Sequence, residues 1–238
     1  MEGLNRIKLI QYLIDEHNYT FYLEIGTETG ESFFPIRCSK KSAVDPCFKI
    51  KSQDKFPWYI KNPYNIFAKY YEVTSDQYFL NQKKELAKKG LDIILIDGLH
   101  TFLATLKDVL NSLKYLNDDG TIILHDCFPP HEAAGIVAEN EEDAREKGKN
   151  LVEWTGEWCG DTWKAIAYLI KKYPENLKVL VLNVDYGLGV IKIVGDNKLD
   201  LKIDDKLFSE INTLGIEDLY KAPEKIINLK SPKEYFSL

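Results

Sequence analysis

Residues 22–32, Tyr22-Leu23-Glu24-Ile25-Gly26-Thr27-Glu28-Thr29-Gly30-Glu31-Ser32, decide how the chain is read. An apolar run ends in a carboxylate, breaks at Gly26 and re-enters regular structure past Gly30. A strand that stops at a glycine and gives way to a helix leaves backbone N–H groups exposed at the turn, which suits a polar or anionic ligand group. Glycine pairs also make ordinary tight connections. The strand ends elsewhere in the chain must therefore decide between a ligand loop and a plain turn.

Those ends repeat one pattern. Ala43-Val44-Asp45-Pro46 reads as a second short strand ending in an acid, at about the ~20-residue distance over which nucleotide-binding βαβ units place a carboxylate for ribose hydroxyls. A brief strand near Tyr70–Val73 leads into Thr74-Ser75-Asp76, and a helix over 77–89 stops at Gly90. Leu91-Asp92-Ile93-Ile94-Leu95-Ile96-Asp97-Gly98 is the near-continuous apolar run of a strand covered on both faces. Helical spacing over Phe102–Leu116, a turn at Asn117–Gly120 and a strand over Thr121–Leu124 follow, ending in His125-Asp126. Ligands of open parallel sheets bind at the carboxyl ends of the strands, so Glu24, Asp45, Asp76, Asp97, His125 and Asp126 are expected on one edge.

The flanks carry less chemistry. Met1–Glu16 reads as an amphipathic helix with Leu4, Ile7, Ile10 and Ile14 on one side, not as the unbroken apolar block of a signal peptide. Residues 48–71 are aromatic and lysine-rich, with Pro57 and Pro63, and read as a loop or irregular helix. The run Glu139–Lys149 is expected to be a solvated helix face. Helix 162–172 precedes a strand over Leu177–Leu182, and Val190–Val194 is expected to return antiparallel as a hairpin. The tail from Asp204 reads as helical to about Leu229. With no repeat, linker or composition shift, one domain over 1–238 is expected: an N-terminal helix (1–20), an α/β core (21–195) and a helical tail (196–238).

Of 238 residues, 45% are apolar and 29% charged, an ordinary globular balance. A net charge of −6 speaks against non-specific nucleic-acid binding, which needs a basic surface to neutralise phosphates. Cys38, Cys47, Cys127 and Cys159 form no CxxC pair, so neither a zinc cage nor a disulfide framework is indicated, and reduced thiols in a cytoplasmic protein are the expectation. No stretch approaches the ~20 apolar residues of a membrane span.

The acids also discriminate between cofactors. A dinucleotide dehydrogenase wants Gly-x-Gly-x-x-Gly so that pyrophosphate can approach the backbone, whereas here Glu24 and Glu28 crowd the loop. S-adenosylmethionine has no phosphate and offers a sulfonium, an ammonium and a ribose diol, all favoured by carboxylates. In YLEIGTETGES (22–32), AVDP (43–46), TSDQYF (74–79), ILIDGLHTF (94–102), IILHDCFPP (122–130) and GDTWKAIAYL (160–169), the chain resembles the class I S-adenosylmethionine-dependent methyltransferases. The subgroup is the methyltransferase-24-like one, with Ile-Asp-Gly-x-His and Leu-His-Asp strand ends.

The resemblance implies a Rossmann-like three-layer α/β/α fold, its seven strands in the order 3-2-1-4-5-7-6 with the seventh antiparallel. It also implies that Glu24, Gly26, Gly30 and Ser32 surround the methionine moiety, Asp45 binds the ribose hydroxyls, Ser75 or Asp76 lies near the adenine, and Asp97 with Gly98 lies by the sulfonium end. The activity implied is methyl transfer to a small-molecule hydroxyl, with a sugar or glycan precursor as acceptor. A nicotinamide-dependent oxidoreductase and a non-catalytic cofactor-binding partner are the other two readings, and a homo-oligomer is open.

A hydroxyl acceptor must lose its proton. His100 and His125 are the candidate bases, because imidazole titrates nearest the working pH. Asp97, His125 and Asp126 are alternatively a divalent-metal set that lowers the hydroxyl's pKa, and oxygen-rich ligation with one imidazole suits Mg or Mn. His100 can also cap the helix that follows it. Trp154, Trp158 and Trp163 are candidates either for packing or for an aromatic acceptor wall.

Overall fold

The strand β1 (Phe21–Ile25) is buried along its whole length, as an apolar strand covered on both faces must be. A computed structural model describes residues 3–195 and 199–237. Residue contacts group the chain into two units: one holds 5–98 and 107–123, the other 99–106 and 124 onward together with 3 and 4.

In the first unit, Asn5 caps α1 (Arg6–His17) by accepting from the Lys8 amide at 3.0 Å, and Leu9, Ile10, Leu13 and Ile14 form its buried stripe. Both β2 (Lys40–Val44) and β4 (Leu91–Ile96) pair with β1 in parallel, and the register sets Ile25 level with Val44 and Ile96. The residues after these three strands, Gly26, Asp45 and Asp97, therefore leave the sheet at the same height. The helix α2 (Ser52–Lys61) and a 3-10 turn (Pro63–Phe67) lead to β3 (Lys69–Tyr71), parallel to β2. A reciprocal box between Thr74 and Gln77 starts α3 (Ser75–Lys89), one turn's half earlier than the expected 77. The helices α4 (Phe102–Leu113) and the strand β5 (Leu116–Leu124) each run from one unit into the other along the chain. The Asn117–Gly120 segment, expected as a turn, is part of the leading end of β5, exposed at 117–119 and buried from Gly120.

In the second unit, α5 (Glu141–Gly148) is the expected solvated face, laced by Arg145–Glu141 and Lys147–Asp143 pairs at 3.0 and 2.7 Å. The buried helix α6 (Trp163–Lys172) precedes β6 (Leu177–Leu182) and β7 (Leu188–Ile193), which pair antiparallel from Leu177–Ile193 to Leu182–Leu188 as the hairpin expected. The tail is less helical than its sequence suggested. It breaks into α7 (Asp205–Asn212), α8 (Ile216–Lys221), α9 (Pro223–Ile226), β8 (Leu229–Lys230) and α10 (Pro232–Tyr235). Gly215, Pro223 and Pro232 sit at the breaks, where neither residue continues a helix. The expected tail at 196–198 lies outside the described residues.

The strand order is β3-β2-β1-β4-β5-β7-β6-β8, a Rossmann-like α/β sheet. It is the expected order with one addition, the two-residue β8, which pairs in parallel with β6 through Val181–Leu229. No helix among the described residues is long and apolar enough to cross a membrane.

The start of α4 is held by Asp161. Asp161 Oδ1 accepts the Phe102 amide at 2.6 Å, and Oδ2 lies 3.3 Å from Lys164 Nζ, with both side chains buried. Lys164 also donates to the Asn212 carbonyl at 3.2 Å. Asp161→Ala leaves a buried ammonium without its carboxylate and uncaps a helix, so it should cost ~3–5 kcal/mol. Urea unfolding measures this, and a loss below about 1 kcal/mol is the value of an exposed pair.

Candidate active site

Every residue expected at the cofactor lies in the first unit, and His100, His125 and Asp126 lie in the second. In the first, Gly26 takes φ +82°, and a Cβ there would meet the Asp97 carbonyl oxygen at 1.8 Å. Glycine is thus required both by conformation and by space. The Gly26 amide donates to the Val44 carbonyl at 2.9 Å and the Asp97 amide to Ile25 at 2.9 Å, which fixes both ends of the loop on the sheet. Glu28 adopts a left-handed φ of +46°, turning its amide onto Asp45 Oδ2 at 2.8 Å. Asp45 Oδ1 accepts the Cys47 amide at 2.7 Å. Each oxygen keeps a second lone pair, so the carboxylate is oriented without being used up.

Glu24 is fully buried. Its two oxygens accept from the Tyr22 hydroxyl and from Ser32 Oγ, the latter at 3.0 Å. Burial pushes its carboxyl up to about 7 against the pull of those two hydrogen bonds, and Asp97 adds to the rise. The buried Lys41 is pushed down to about 7 by the same desolvation, although Glu24 opposes the shift. Its ammonium donates to the Phe33 carbonyl at 2.5 Å and Asn65 Oδ1 at 2.6 Å. Gly30 takes φ +81°, with the Phe34 ring against the space a Cβ would need.

Asp97 lies 3.8 Å from Arg6 across an ion pair. Ser75 hydrogen-bonds the buried Asp108, whose carboxyl burial raises to about 7, and a Cβ on Gly98 would lie 3.5 Å from Asp108 Oδ2. Asp76 is exposed and accepts from Asn111 Nδ2 at 3.1 Å.

In the second unit Asp126 is the meeting point. Its Oδ2 lies 3.3 Å from His100 Nε2 and 3.1 Å from His125 Nδ1. Asp126 is itself left-handed (φ +59°), and so are Asp185 (φ +50°) and Tyr186 (φ +60°). Non-glycine residues hold such angles only where neighbours fix them. Here the Cys127 amide donates to Gly187 at 2.9 Å and the Phe128 amide to Tyr186 at 2.7 Å.

The two histidines differ in surroundings. His125 is buried with a carboxylate at each ring nitrogen, Asp126 at Nδ1 and Asp185 Oδ1 3.6 Å from Nε2. His100 is partly open, and its Nδ1 faces the Trp158 carbonyl, which can only accept. The proton of a neutral His100 therefore sits on Nδ1, and Nε2 is the basic nitrogen turned to Asp126. The tryptophans separate likewise. Trp163 is core, Trp154 packs on α5 at Gly148, and Trp158 lies with its ring 5.5 Å from that of His100, its Nε1 donating to Ile136 at 2.7 Å.

Of the expected metal set, His125 and Asp126 meet, while Asp97 belongs to the first unit. The sequence reading missed Tyr22, Lys41, Asp108 and Asp185. Tyr22 was recoverable, since it stands two residues before Glu24 on the same strand face. Asp185 sits in a turn that carries no local pattern.

Residues 23–127 match the family model described as "Methyltransferase domain". No curated protein shows significant sequence similarity to the chain. Among solved structures the fold is similar to that of the S-adenosylhomocysteine-bound methyltransferase PaMTH1 of Podospora anserina, with a TM-score of 0.55, 16% identity and coverage of 82% of this chain and 80% of that one. The O-methyltransferase of Bacillus cereus in complex with S-adenosylhomocysteine gives 0.53, 14%, 81% and 83%. The Streptomyces achromogenes O-methyltransferase TomG, in complex with S-adenosylmethionine, gives 0.50, 10%, 80% and 80%.

Glu24 carries a pKa in the fold above its unfolded one, so its contribution to stability is fully present below about 4.5 and lost as pH rises through about 7. The stability of the wild type relative to Glu24→Gln should therefore fall over that window, as followed by urea unfolding at a series of pH values. A pH-independent difference would mean an ordinary, solvated carboxylate.

Proposed function

We propose that the chain, whose residues 23–127 match a methyltransferase domain, is a class I S-adenosylmethionine-dependent methyltransferase that methylates a hydroxyl of a small, sugar-like acceptor. S-adenosylmethionine, the donor for this class, supplies an activated methyl group. The observation that carries the donor side is Asp45, a carboxylate at the end of β2 that two backbone amides hold in place with lone pairs to spare for a ribose diol. Gly26, Gly30 and Ser32 would line the methionine end of the loop, with Glu24 beneath as the buried group that orients Ser32. Ser75 and Asp76 would face the adenine, and Asp97 with Gly98 the sulfonium end.

Methyl transfer is an in-line displacement at carbon, so the chain's contribution is to hold nucleophile and methyl in line and to remove the acceptor's proton. His100 is the residue we assign to that proton, because Trp158 fixes its tautomer and leaves Nε2 as the base. Asp126 would then hold the imidazolium formed, and His125, engaged by Asp126 and Asp185, would hold Asp126. The ring of Trp158 beside His100 offers an apolar face of the kind that stacks on sugar rings. The acceptor class rests on the family resemblance and on that face.

A second reading uses the same atoms. An imidazole lone pair and a carboxylate 3.3 Å apart are two acceptors, and a divalent cation satisfies them as well as a proton does. His100 and Asp126 would hold Mg or Mn, which would lower the pKa of a bound hydroxyl, with His125 as a further ligand.

Calorimetric titration with S-adenosylmethionine tests the donor site. Asp45→Ala should weaken binding by ~1.5–3 kcal/mol, the cost of charge-assisted bonds, and unchanged affinity would remove the ribose assignment. His100→Ala should lower kcat by roughly 10²–10⁴-fold while leaving donor affinity intact. Activity abolished by EDTA and restored by Mg or Mn decides for the cation. Activity indifferent to EDTA decides for His100 as base.

A further inference from the structure

We propose that α2 and the 3-10 turn after it dock the protein onto an anionic lipid surface. No residue of α2 is buried, although it carries Phe56, Pro57, Trp58, Tyr59 and Ile60 in succession. Phe56 is 66% exposed, Ile60 71%, Ile66 57% and Phe67 80%, a density of bare large apolar side chains found nowhere else among the described residues. Single exposed apolar residues need no explanation, but a cluster marks an interaction site.

The exposure does not come from loose attachment. Asn62 and Asn65, both buried, tie the segment down: Asn62 Nδ2 donates to the Phe34 and Ile36 carbonyls at 2.8 Å each, and Asn65 Nδ2 to Phe34 at 3.0 Å. Lys41 donates to Asn65 Oδ1 at 2.6 Å, and Trp58 stacks on Phe34 with ring centroids 5.9 Å apart. The inner face, with Lys55 and Trp58, is thus specified in detail, and the outer face, with Phe56 and Ile60, is held outward.

Charge chooses the occupant. Residues 48–69 hold five lysines and one acid, Asp54, in a chain whose net charge is −6. Lys49 and Lys69 are engaged by Glu28 and Glu85. Lys51 stands at the N-cap position of α2, where its backbone amide and not its ammonium is engaged, by Asp54 at 2.9 Å, and Lys55 and Lys61 lie 3.8 and 5.3 Å over the rings of Tyr70 and Trp58. Two copies of this patch meeting about a two-fold axis would set lysines against lysines, so a symmetric dimer through it is disfavoured. Aromatic and aliphatic side chains interleaved with lysine are what an interfacial segment presents to anionic headgroups, the rings entering the headgroup boundary and the ammonium groups meeting phosphate. Inserted apolar area and attraction of lysines to anionic headgroups are the two contributions on which interfacial binding strength depends.

Sedimentation of the full chain with vesicles tests this. The protein should pellet with vesicles that contain phosphatidylserine, not with pure phosphatidylcholine, and high salt should release it. Lys51→Gln with Lys61→Gln should weaken partition roughly 5-fold per lysine, and Phe56→Ser with Phe67→Ser should abolish it. These side chains are exposed, so the melting temperatures of both variants should stay at the wild-type value. The proposal fails if the wild type ignores phosphatidylserine, if it binds both vesicles equally, or if neither double variant loses binding. It fails equally if light scattering finds a wild-type dimer that Phe56→Ser with Phe67→Ser turns into a monomer, since a second copy would then be the occupant. Donor binding plays no part in these measurements, so their outcome is independent of the methyltransferase assignment.

Discussion

A single methyl group on Gly26 would sit 1.8 Å from the carbonyl oxygen of Asp97, and the layout of the first unit follows from that contact. The loop after β1 lies directly on the backbone at the end of β4, so the two strand ends have no freedom relative to each other. The parallel register then adds the third member, with Ile25 level with Val44. Gly26, Asp45 and Asp97 become neighbouring exits of one sheet edge. The left-handed turn at Glu28 completes the arrangement, because it aims an amide at Asp45 and converts a mobile carboxylate into a fixed one. A residue other than glycine is accepted there because its angle is anchored on both sides, the Lys49 amide donating to the Glu28 carbonyl at 2.9 Å.

Buried charge recurs among the described residues, and four instances show how it is partnered. Glu24 has Tyr22 and Ser32; Lys41 has Phe33 and Asn65; Asp161 has Lys164 and the Phe102 amide; His125 has Asp126 and Asp185. Apolar replacements of such groups would often leave a fold as stable or more so, so their presence speaks for geometry more than for stability. Several of them orient a second polar residue. Glu24 holds the loop serine, Lys41 holds the asparagine under α2, and His125 holds Asp126. The pKa of about 7 at Glu24 shows what that costs: burial without full compensation.

The sheet was readable from sequence because parallel strands buried on both faces leave unbroken apolar runs, as in Leu91–Ile96, and because each run ended in a turn former or an acid. The hairpin of β6 and β7 was readable from the turn-rich link at 183–189. The two-residue β8 was not, since a strand that short has no period and its pairing to Val181 is set by tertiary packing. The helix starting at Ser52 was only half legible, because Pro57 and the aromatic run mask any amphipathic period. At the site, residue types pointed to the cofactor-side acids and to the His–Asp strand end. What composition could not reveal was how differently the two histidines are surrounded. That depends on Asp185 and the Trp158 carbonyl, which stand 60 and 58 residues away from His125 and His100 in the chain.

The division of residues between the two units carries one further consequence. The chain passes from the first unit to the second after Gly98 and again after Ile123, immediately beyond β4 and near the end of β5. The donor-side residues all precede the first crossing. His100, His125 and Asp126 follow the crossings within two or three residues. The matched family region, 23–127, ends just past this second junction and so contains both sets. Trp158, Asp185 and Tyr186, which stand beside His100 and His125, lie beyond it. The match to a methyltransferase domain therefore rests on the strands and loops of 23–127, and Trp158, whose carbonyl faces His100, takes no part in it.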